Sequence, residues 1–211
     1  MGGGSWMYRA VATGENLVAL LRAVGSGEHG VAARILQEAP QLAVARVQRS
    51  DEFFVAECHA QVYAGDTALH GAAFAYDTAI ARTLVEIGAD VRAQNRRRAE
   101  PLHAAAIGVP GSSNWDPERQ RAVISYLTEI GADPNARAAG GVTPLHRAVR
   151  NRCSAAVAAL LDAGADPQLT NDGGSTALDL ALSTTGRGAS GSIEAKAEQR
   201  IIVELLERPR R

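Results

Sequence analysis

A four-residue string returns four times along this chain of 211 residues, and its spacing constrains the fold more than any other feature. The copies read Thr67-Ala68-Leu69-His70, Glu100-Pro101-Leu102-His103, Thr143-Pro144-Leu145-His146 and Thr176-Ala177-Leu178-Asp179, at intervals of 33, 43 and 33 residues. A second string, Gly-Ala-Asp, begins at Gly88, Gly131 and Gly164. Recurrence at a fixed period of about 20 to 50 residues is typical of stacked repeats that share one core.

The sequence pattern of each repeated unit predicts two helices. Threonine followed by proline, as at Thr143-Pro144, favours a helix start, because the hydroxyl caps a free amide and proline fits the first helical position. The second helix carries apolar residues at helical spacing, such as Val157 and Leu160, and ends at a glycine suited to a left-handed cap. The segment 89–99 between two units has room for a projecting hairpin. The sequence therefore predicts an all-α array of antiparallel helix pairs.

The combined pattern resembles the ankyrin repeat family. The family pattern includes Thr-Pro-Leu-His, a small Ala-Ala pair and Gly-Ala-Asp-x-Asn-Ala, which residues 131–136 match closely. The resemblance covers residues 65–207, with three clear repeats and an altered C-terminal unit in which Asp179 replaces the histidine. It implies an ankyrin-repeat solenoid with short hairpin fingers.

Three segments divide the chain in this interpretation. Residues 1–5 read as an expression linker, and residues 6–64 as a degenerate N-terminal capping unit with helices over 15–24 and 28–39. Alternation through Leu42, Val44 and Val47, and again through Phe54, Ala56 and Cys58, predicts an extended finger before the array. Residues 65–211 form the array itself, with insertions at 109–118 and 184–192. Both insertions fall between the first and second helices of their units.

Composition and charge narrow the classes of function. A content of 46 % hydrophobic and 21 % charged residues is typical of a folded soluble protein. No apolar run approaches the roughly 18 residues of a membrane-spanning helix, and no secretory signal is evident, so we expect a cytoplasmic protein without a membrane partner. Two cysteines indicate buried thiols rather than a metal cluster. Net charge is -1, but residues 92–152 hold ten arginines against five acidic residues.

Searches for catalytic chemistry give no convincing site. His70, His103 and His146 recur in register, but stacked units lie roughly 10 Å apart, too far for histidines to share a metal ion. The resemblance implies that they form hydrogen bonds within and between repeats. Residues 186–191 match a dinucleotide fingerprint without the strand that it requires. We therefore expect no enzyme, no catalytic residue, no cofactor and no metal.

The preferred interpretation is a monomeric protein-interaction module. The resemblance implies that partner contacts lie on the concave face, at the finger tips and the ends of the first helices. Matched unit by unit, the predicted contact residues are Tyr63, Asp66, Phe74, Tyr76, Arg96, Arg97, Ile107, Val142, Arg150, Asn151 and Asp172. The aromatic members serve either as anchors for a partner or as packing for the long finger. Few aromatics interleave the basic stretch, so nucleic acid is not favoured.

The alternative is a small-ligand or anion pocket between the two insertions. Stacking puts both on one edge of the solenoid, about 20 Å apart, and a ten-residue loop has that reach. The predicted lining residues of this shared cleft are Trp115, Arg150, Arg152 and Arg187. Two unrelated surface loops would fit the sequence as well, and so would a scaffold without a single partner.

Overall fold

A computed structural model describes the backbone of residues 4–55, 60–183 and 193–208. Within these ranges the first unit is made of two helices, a short turn and a hairpin: α1 (Gly4–Gly25), α2 (His29–Glu38), β1 (Phe53–Val55) and β2 (Ala60–Val62). The following units contain α3 (Ala68–Phe74), α4 (Thr78–Glu86), α5 (Pro101–Ala105), α6 (Pro117–Glu129), α7 (Pro144–Arg150), α8 (Ser154–Asp162), α9 (Ala177–Leu182) and α10 (Ile193–Glu207).

The helices stack in two rows. The inner row consists of α1, α3, α5, α7 and α9, each of which packs against the next. The outer row consists of α2, α4, α6, α8 and α10, again with each helix on its neighbour. Consecutive helices such as α3 and α4, or α7 and α8, form the pairs of single units. The predicted all-α solenoid is confirmed.

One continuous core runs between the two rows. The leucines of the repeated string, Leu69, Leu102 and Leu145, are at most 1 % exposed, and so are their counterparts in the outer row. Alanines fill the contacts between neighbouring inner helices, and Ala72, Ala105 and Ala148 are all fully buried. Because these side chains are small, α3, α5 and α7 approach one another closely, and the burial of each leucine contributes roughly 2 kcal/mol.

The N-terminal segment differs from the sequence prediction in two places. Helix α1 begins at Gly4, eleven residues before the predicted start at Glu15, and so takes in part of the predicted linker. The alternation at Leu42 and Val44 does not form extended structure, because Pro40–Ala43 is a 3-10 turn that buries Leu42. In the segment of the second alternation, β1 and β2 pair antiparallel with Phe54 opposite Gln61. Cys58 lies outside the described residues.

Histidines link each repeat to the next. The ring of His70 accepts a hydrogen bond at Nδ1 from the amide of Thr67 (3.2 Å) and donates from Nε2 to the carbonyl of Ala99 (3.1 Å). His103 and His146 repeat this arrangement, with Nε2 donating over 3.1 Å to Val142 and Ser175 of the following fingers. Because the backbone N–H occupies Nδ1, the ring is neutral with its proton on Nε2. The predicted structural role is confirmed.

Aspartate replaces histidine in the last unit and makes only the local half of this link. The Oδ2 atom of Asp179 accepts from the amide of Thr176 (2.8 Å) and from its hydroxyl (2.7 Å). These hydrogen bonds hold the pKa of Asp179 below its usual range. Among the described residues no finger follows α9. The side chain at this position therefore needs only to hydrogen-bond to Thr176 at the helix start, and aspartate is long enough for that.

Glutamate replaces threonine at the start of α5, and its carboxyl is buried. Glu100 is 2 % exposed, its Oε1 accepts from Gln94 over 3.2 Å, and its Oε2 has no hydrogen-bond partner among the described residues. Burial raises the pKa of Glu100 because the charged form loses water without a full set of partners. The ionised side chain therefore destabilises the fold at neutral pH.

We expect Glu100→Thr to stabilise the protein by about 1 kcal/mol at pH 7, because a threonine hydroxyl can take over the helix cap that the Glu100 carboxyl now forms, without a buried charge. The folded-state pKa of Glu100 lies above its unfolded value of 4.5. Its destabilising effect is therefore present at high pH and disappears as pH falls through the folded pKa. Thermal unfolding at pH 7 and pH 4 measures both effects. Glu100→Gln is the control that removes charge alone, and a less stable threonine variant would contradict this interpretation.

Candidate partner-binding surface

Backbone hydrogen bonds join the fingers, which are the segments directly before the four repeated strings, into one edge of the array. The amide of Arg96 donates to the carbonyl of Ala64 (2.7 Å), and the amide of Ala139 donates to the carbonyl of Arg97 (2.8 Å). The amide of Asp172 donates to the carbonyl of Gly140 (2.9 Å) in the same way. Each finger is therefore held by its neighbour through main-chain atoms, and the four tips form a continuous, ordered surface. We call this set of hydrogen bonds the finger ladder.

Asparagine fixes the turn at the tip of two fingers. Asn95 Oδ1 accepts from the amides of Arg97 (2.9 Å) and Ala99 (3.1 Å). Asn171 Oδ1 accepts from the amides of Gly173 (2.9 Å) and Ser175 (3.1 Å). A side chain that satisfies two loop amides pre-organises the turn, so these tips are ordered before any partner binds.

Arginines surround Tyr63 at the second finger. The guanidinium carbons of Arg96 and Arg97 lie 5.0 and 5.4 Å from the centre of the Tyr63 ring, within the range of a cation–π contact. Arg96 also pairs with Glu52, with Nη2 at 3.0 Å from Oε2. The charge of Arg96 is therefore balanced by Glu52 of the first unit, whereas Arg97 lies over the Tyr63 ring.

A further arginine lies next to this group on α7. Arg147 Nη1 donates to the carbonyl of His103 over 3.4 Å. Burial, together with the positive charges of Arg97 and Arg150, lowers the pKa of Arg147 to about 10. The second finger and α7 therefore bring like charges together across neighbouring repeats.

No carboxylate neutralises this group. Within the described part of the chain, no Asp or Glu oxygen lies within 4.0 Å of the charged nitrogens of Arg97, Arg98, Arg147 or Arg150. Arg97, Arg98 and Arg150 are exposed, and Arg147 is half-buried. We call these four residues the arginine cluster. Its charge is available to a bound molecule.

Two predicted contact residues are buried and make internal contacts instead. Tyr76 is 5 % exposed, its hydroxyl donates to the carbonyl of Ile107, and burial raises the pKa of that hydroxyl. Asp66 is 7 % exposed and accepts from the Tyr63 amide (2.7 Å) and from Asn95 Nδ2 (2.8 Å). The prediction that Tyr76 and Asp66 contact a partner is wrong, because both side chains are committed to joining neighbouring units.

The remaining predicted contacts separate into two groups. Tyr63, Arg96, Arg97, Val142 and Asp172 lie on fingers, with Arg150 and Asn151 at the end of α7. Phe74 and Ile107 lie elsewhere, in the wall of a cavity of about 640 Å³ beside the turn between α1 and α2. That cavity opens where inner and outer helices meet, at the edge opposite the fingers.

The predicted shared cleft between the two insertions involves the second insertion, residues 184–192, which lies outside the described residues. Trp115 lines the 640 Å³ cavity with residues of the N-terminal unit, whereas Arg152 lines a separate cavity of about 470 Å³ beside α9 and α10. Arg150 lines neither of these cavities. Trp115 is held toward α6 by a hydrogen bond from Nε1 to Gln120 Oε1 (2.9 Å). Arg187 lies outside the described residues.

The first insertion does reach the C-terminal unit. A methyl group built on Gly111 would lie 3.6 Å from Glu194 Cγ, near the start of α10. Glu198, one turn further along α10, accepts from the Ser154 amide over 2.8 Å and caps α8. Residues 109–118 therefore pack along the edge that carries the second insertion, residues 184–192, which lies outside the described range.

Sequence reasoning missed two residues that organise this edge, Gln120 and Gly108. Gln120 is fully buried, and its Nε2 donates to the carbonyls of Ala105 (2.9 Å) and Ile107 (3.2 Å). A polar residue on the apolar stripe of α6, directly after an insertion, was the available signal. Gly108 has no such signal, because its role depends on side chains from three units.

Comparison with protein families agrees with the stacked helices, the finger ladder and the histidine links. A family model described as ankyrin repeat matches residues 64–96, and one described as ankyrin repeats (many copies) matches residues 127–181. The chain is an ankyrin repeat protein. Ankyrin repeats are generally modules for protein–protein interaction. No curated protein sequence matches the chain.

The matched ranges agree with the position of the insertions in these ankyrin repeats. The first match ends at Arg96 and the second begins at Leu127, so residues 97–126, which include the first insertion, fall between them. None of the helices in the described part of this ankyrin repeat protein has the length and hydrophobicity of a membrane-spanning segment.

Proposed function

We propose that this ankyrin repeat array binds a protein partner on its concave face, along the fingers and the inner helices. The contact residues are those of the first group above: Tyr63, Arg96, Arg97, Val142, Arg150, Asn151 and Asp172. The observation that carries the proposal is the finger ladder, which makes four tips into one rigid surface. A rigid surface binds with a smaller loss of conformational entropy than loops that order on contact.

The chemistry of the buried groups supports a binding role without catalysis. Both ring nitrogens of His103 are engaged, and burial lowers its pKa to about 3, so it is unsuited to proton transfer near neutral pH. Burial raises the pKa of Cys153 to about 12, opposite to the change that activates a nucleophilic thiol.

Site-specific photo-crosslinking tests the proposed face. We expect p-benzoylphenylalanine at Tyr63 or Asp172 to capture the same protein from a cell lysate, because both positions lie on the finger ladder. Tyr63 is aromatic and Asp172 is exposed, so both positions accommodate the probe. Mass spectrometry of the crosslinked bands identifies the captured protein.

The matched controls carry the same probe on the outer row. Ile87 and Ile201 are 39 % and 43 % exposed on the outer side of the array, at the end of α4 and in α10. Capture at Ile87 or Ile201 in place of Tyr63 and Asp172 would put the interface on the outer row and contradict the proposal.

A further inference from the structure

One backbone position is shared by all four fingers, and one finger departs from the others there. The residue two places before each repeated string has a left-handed conformation. It is Gly65 (φ 85°), Gly141 (φ 66°) and Gly174 (φ 77°) in three fingers, but Arg98 (φ 57°) in the second. The second and fourth fingers are otherwise alike, since Arg98 donates to the Asn95 carbonyl over 2.8 Å and Gly174 to that of Asn171 over 3.0 Å.

The arginine at this position is unfavourable for folding. A side chain in the left-handed region brings Cβ too close to the following carbonyl oxygen, and glycine avoids that contact. The same turn closes with glycine in the third and fourth fingers, so the turn itself does not require arginine. Backbone strain of this kind concentrates at functional sites.

The positive charges around Arg98 indicate a binding function for its guanidinium group. It follows Arg97, which lies beside Tyr63 and raises the positive potential at Arg147. The arginine cluster has no carboxylate within ion-pair distance among the residues that the structure describes. Residues 92–152 carry a net charge of +5, whereas the flanking segments 1–91 and 153–211 are net negative. The positive potential is thus local to the middle of the array.

We propose that the arginine cluster binds an acidic segment of the protein partner, with aspartate and glutamate carboxylates paired to Arg97, Arg98, Arg147 and Arg150. This inference rests on the proposed function and names the chemistry of the partner at that surface. Arginine suits the role because its planar guanidinium pairs with carboxylates through two parallel hydrogen bonds. Tyr63 contributes one aromatic surface, whereas single-stranded nucleic acid requires a series of stacking platforms.

Fluorescence anisotropy with a model peptide tests the proposal. The probe is a fluorescein-labelled peptide of alternating glutamate and glycine, about 12 residues long, which spans neighbouring fingers roughly 10 Å apart. We expect the wild-type protein to bind it with a Kd that rises as ionic strength increases from about 0.05 to 0.3 M. A lysine–glycine peptide of equal length is expected not to bind.

Two variants make the test specific. Arg97→Glu combined with Arg150→Glu is expected to raise the Kd by about tenfold or more, since two favourable charge contacts become repulsive. Arg98→Gly is expected to raise the Kd by about threefold and at the same time to raise Tm by about 3 °C, because strain is relieved. A general loss of structure would lower Tm, so the two effects of Arg98→Gly separate recognition from folding.

The control is Arg34→Glu, which makes the same charge change at an exposed position of α2 in the outer row and is expected to leave the Kd unchanged. Equal binding of the peptide by wild type and the double variant would overturn the inference, as would a lower Tm for Arg98→Gly. Tighter binding of an oligothymidylate of similar length would assign the cluster to nucleic acid instead. Capture at Tyr63 without peptide binding would leave the proposed function standing and reject the acidic segment.

Discussion

Replacement of His103 by alanine is expected to lower the free energy of unfolding by about 3 kcal/mol at pH 7. His103 is fully buried, and its ring joins the Glu100 amide (3.2 Å) to the Val142 carbonyl of the next finger (3.1 Å). Alanine removes the partner of the Glu100 amide, at a cost of about 1 to 3 kcal/mol, and opens a cavity. The Val142 carbonyl keeps its hydrogen bond from the Ala138 amide but loses its link to the preceding repeat. Urea titration followed by circular dichroism measures the change.

The effect of His103→Ala is also expected to depend on pH. The folded-state pKa of His103 is about 3, against an ordinary value of 6.5 in the unfolded chain, so below pH 6.5 the unfolded chain binds a proton that the folded protein does not. Wild-type stability therefore decreases by about 1.4 kcal/mol for each pH unit in this window, and the variant lacks that term. The difference between the two proteins is expected to shrink between pH 6.5 and 4.

Asp179 is the matched control for this prediction, since it occupies the same position of the last unit and has no link to a following finger. Asp179→Ala removes a helix cap alone, for about 1 kcal/mol. Equal losses for His103→Ala and Asp179→Ala would mean that the link between repeats contributes nothing to stability.

Gly108→Ala is expected to destabilise the protein by about 3 kcal/mol, because the first insertion packs directly over this residue. An added methyl group would lie 2.6 Å from Trp115 Cδ1, 2.8 Å from Cys153 Sγ and 2.8 Å from the Tyr76 hydroxyl. All three distances are shorter than real carbon contacts, and overpacking of a filled interior costs about 1 to 3 kcal/mol even in milder cases. The fluorescence of Trp115 reports the change, measured in a Trp6→Phe background.

Gly30→Ala provides the contrast. Gly30 lies in α2 with no atom within 4 Å of the added methyl group, so alanine is expected to stabilise the protein by about 0.5 to 1 kcal/mol. If Gly108→Ala leaves both stability and Trp115 fluorescence unchanged, the insertion does not pack against Tyr76 and Cys153 as described.

Local rules in the sequence were sufficient to predict the repeats. The cap at Thr143 and its contact with His146 Nδ1 join residues only three apart, so a short string identifies them. The same signal, a threonine of the repeated string, stands directly before the observed start of α9 at Ala177. Such features need no knowledge of distant chain segments.

The candidate surface was harder to predict, because burial depends on residues far away in sequence. Tyr76 is an aromatic residue of the kind that often binds partners, yet it is buried, and its hydrogen-bond acceptor is the Ile107 carbonyl, 31 residues later in the chain. Trp115 donates a hydrogen bond to Gln120, a contact that the spacing of the repeats does not determine. Arg98 was recognisable only by comparison of the backbone conformation of all four fingers.

Because of the finger ladder, the finger edge of the array tolerates added residues poorly, whereas the opposite edge tolerates them well. Extra residues in a finger would separate main-chain partners such as Arg96 and Ala64, or Ala139 and Arg97, and break the contact on both sides at once. Extra residues between an inner and an outer helix break no such bond, and both insertions of this chain fall there. The short turn at 26–28 between α1 and α2, which carries no proposed contact residue, is thus the natural place to graft a new loop without disturbing the partner-binding face.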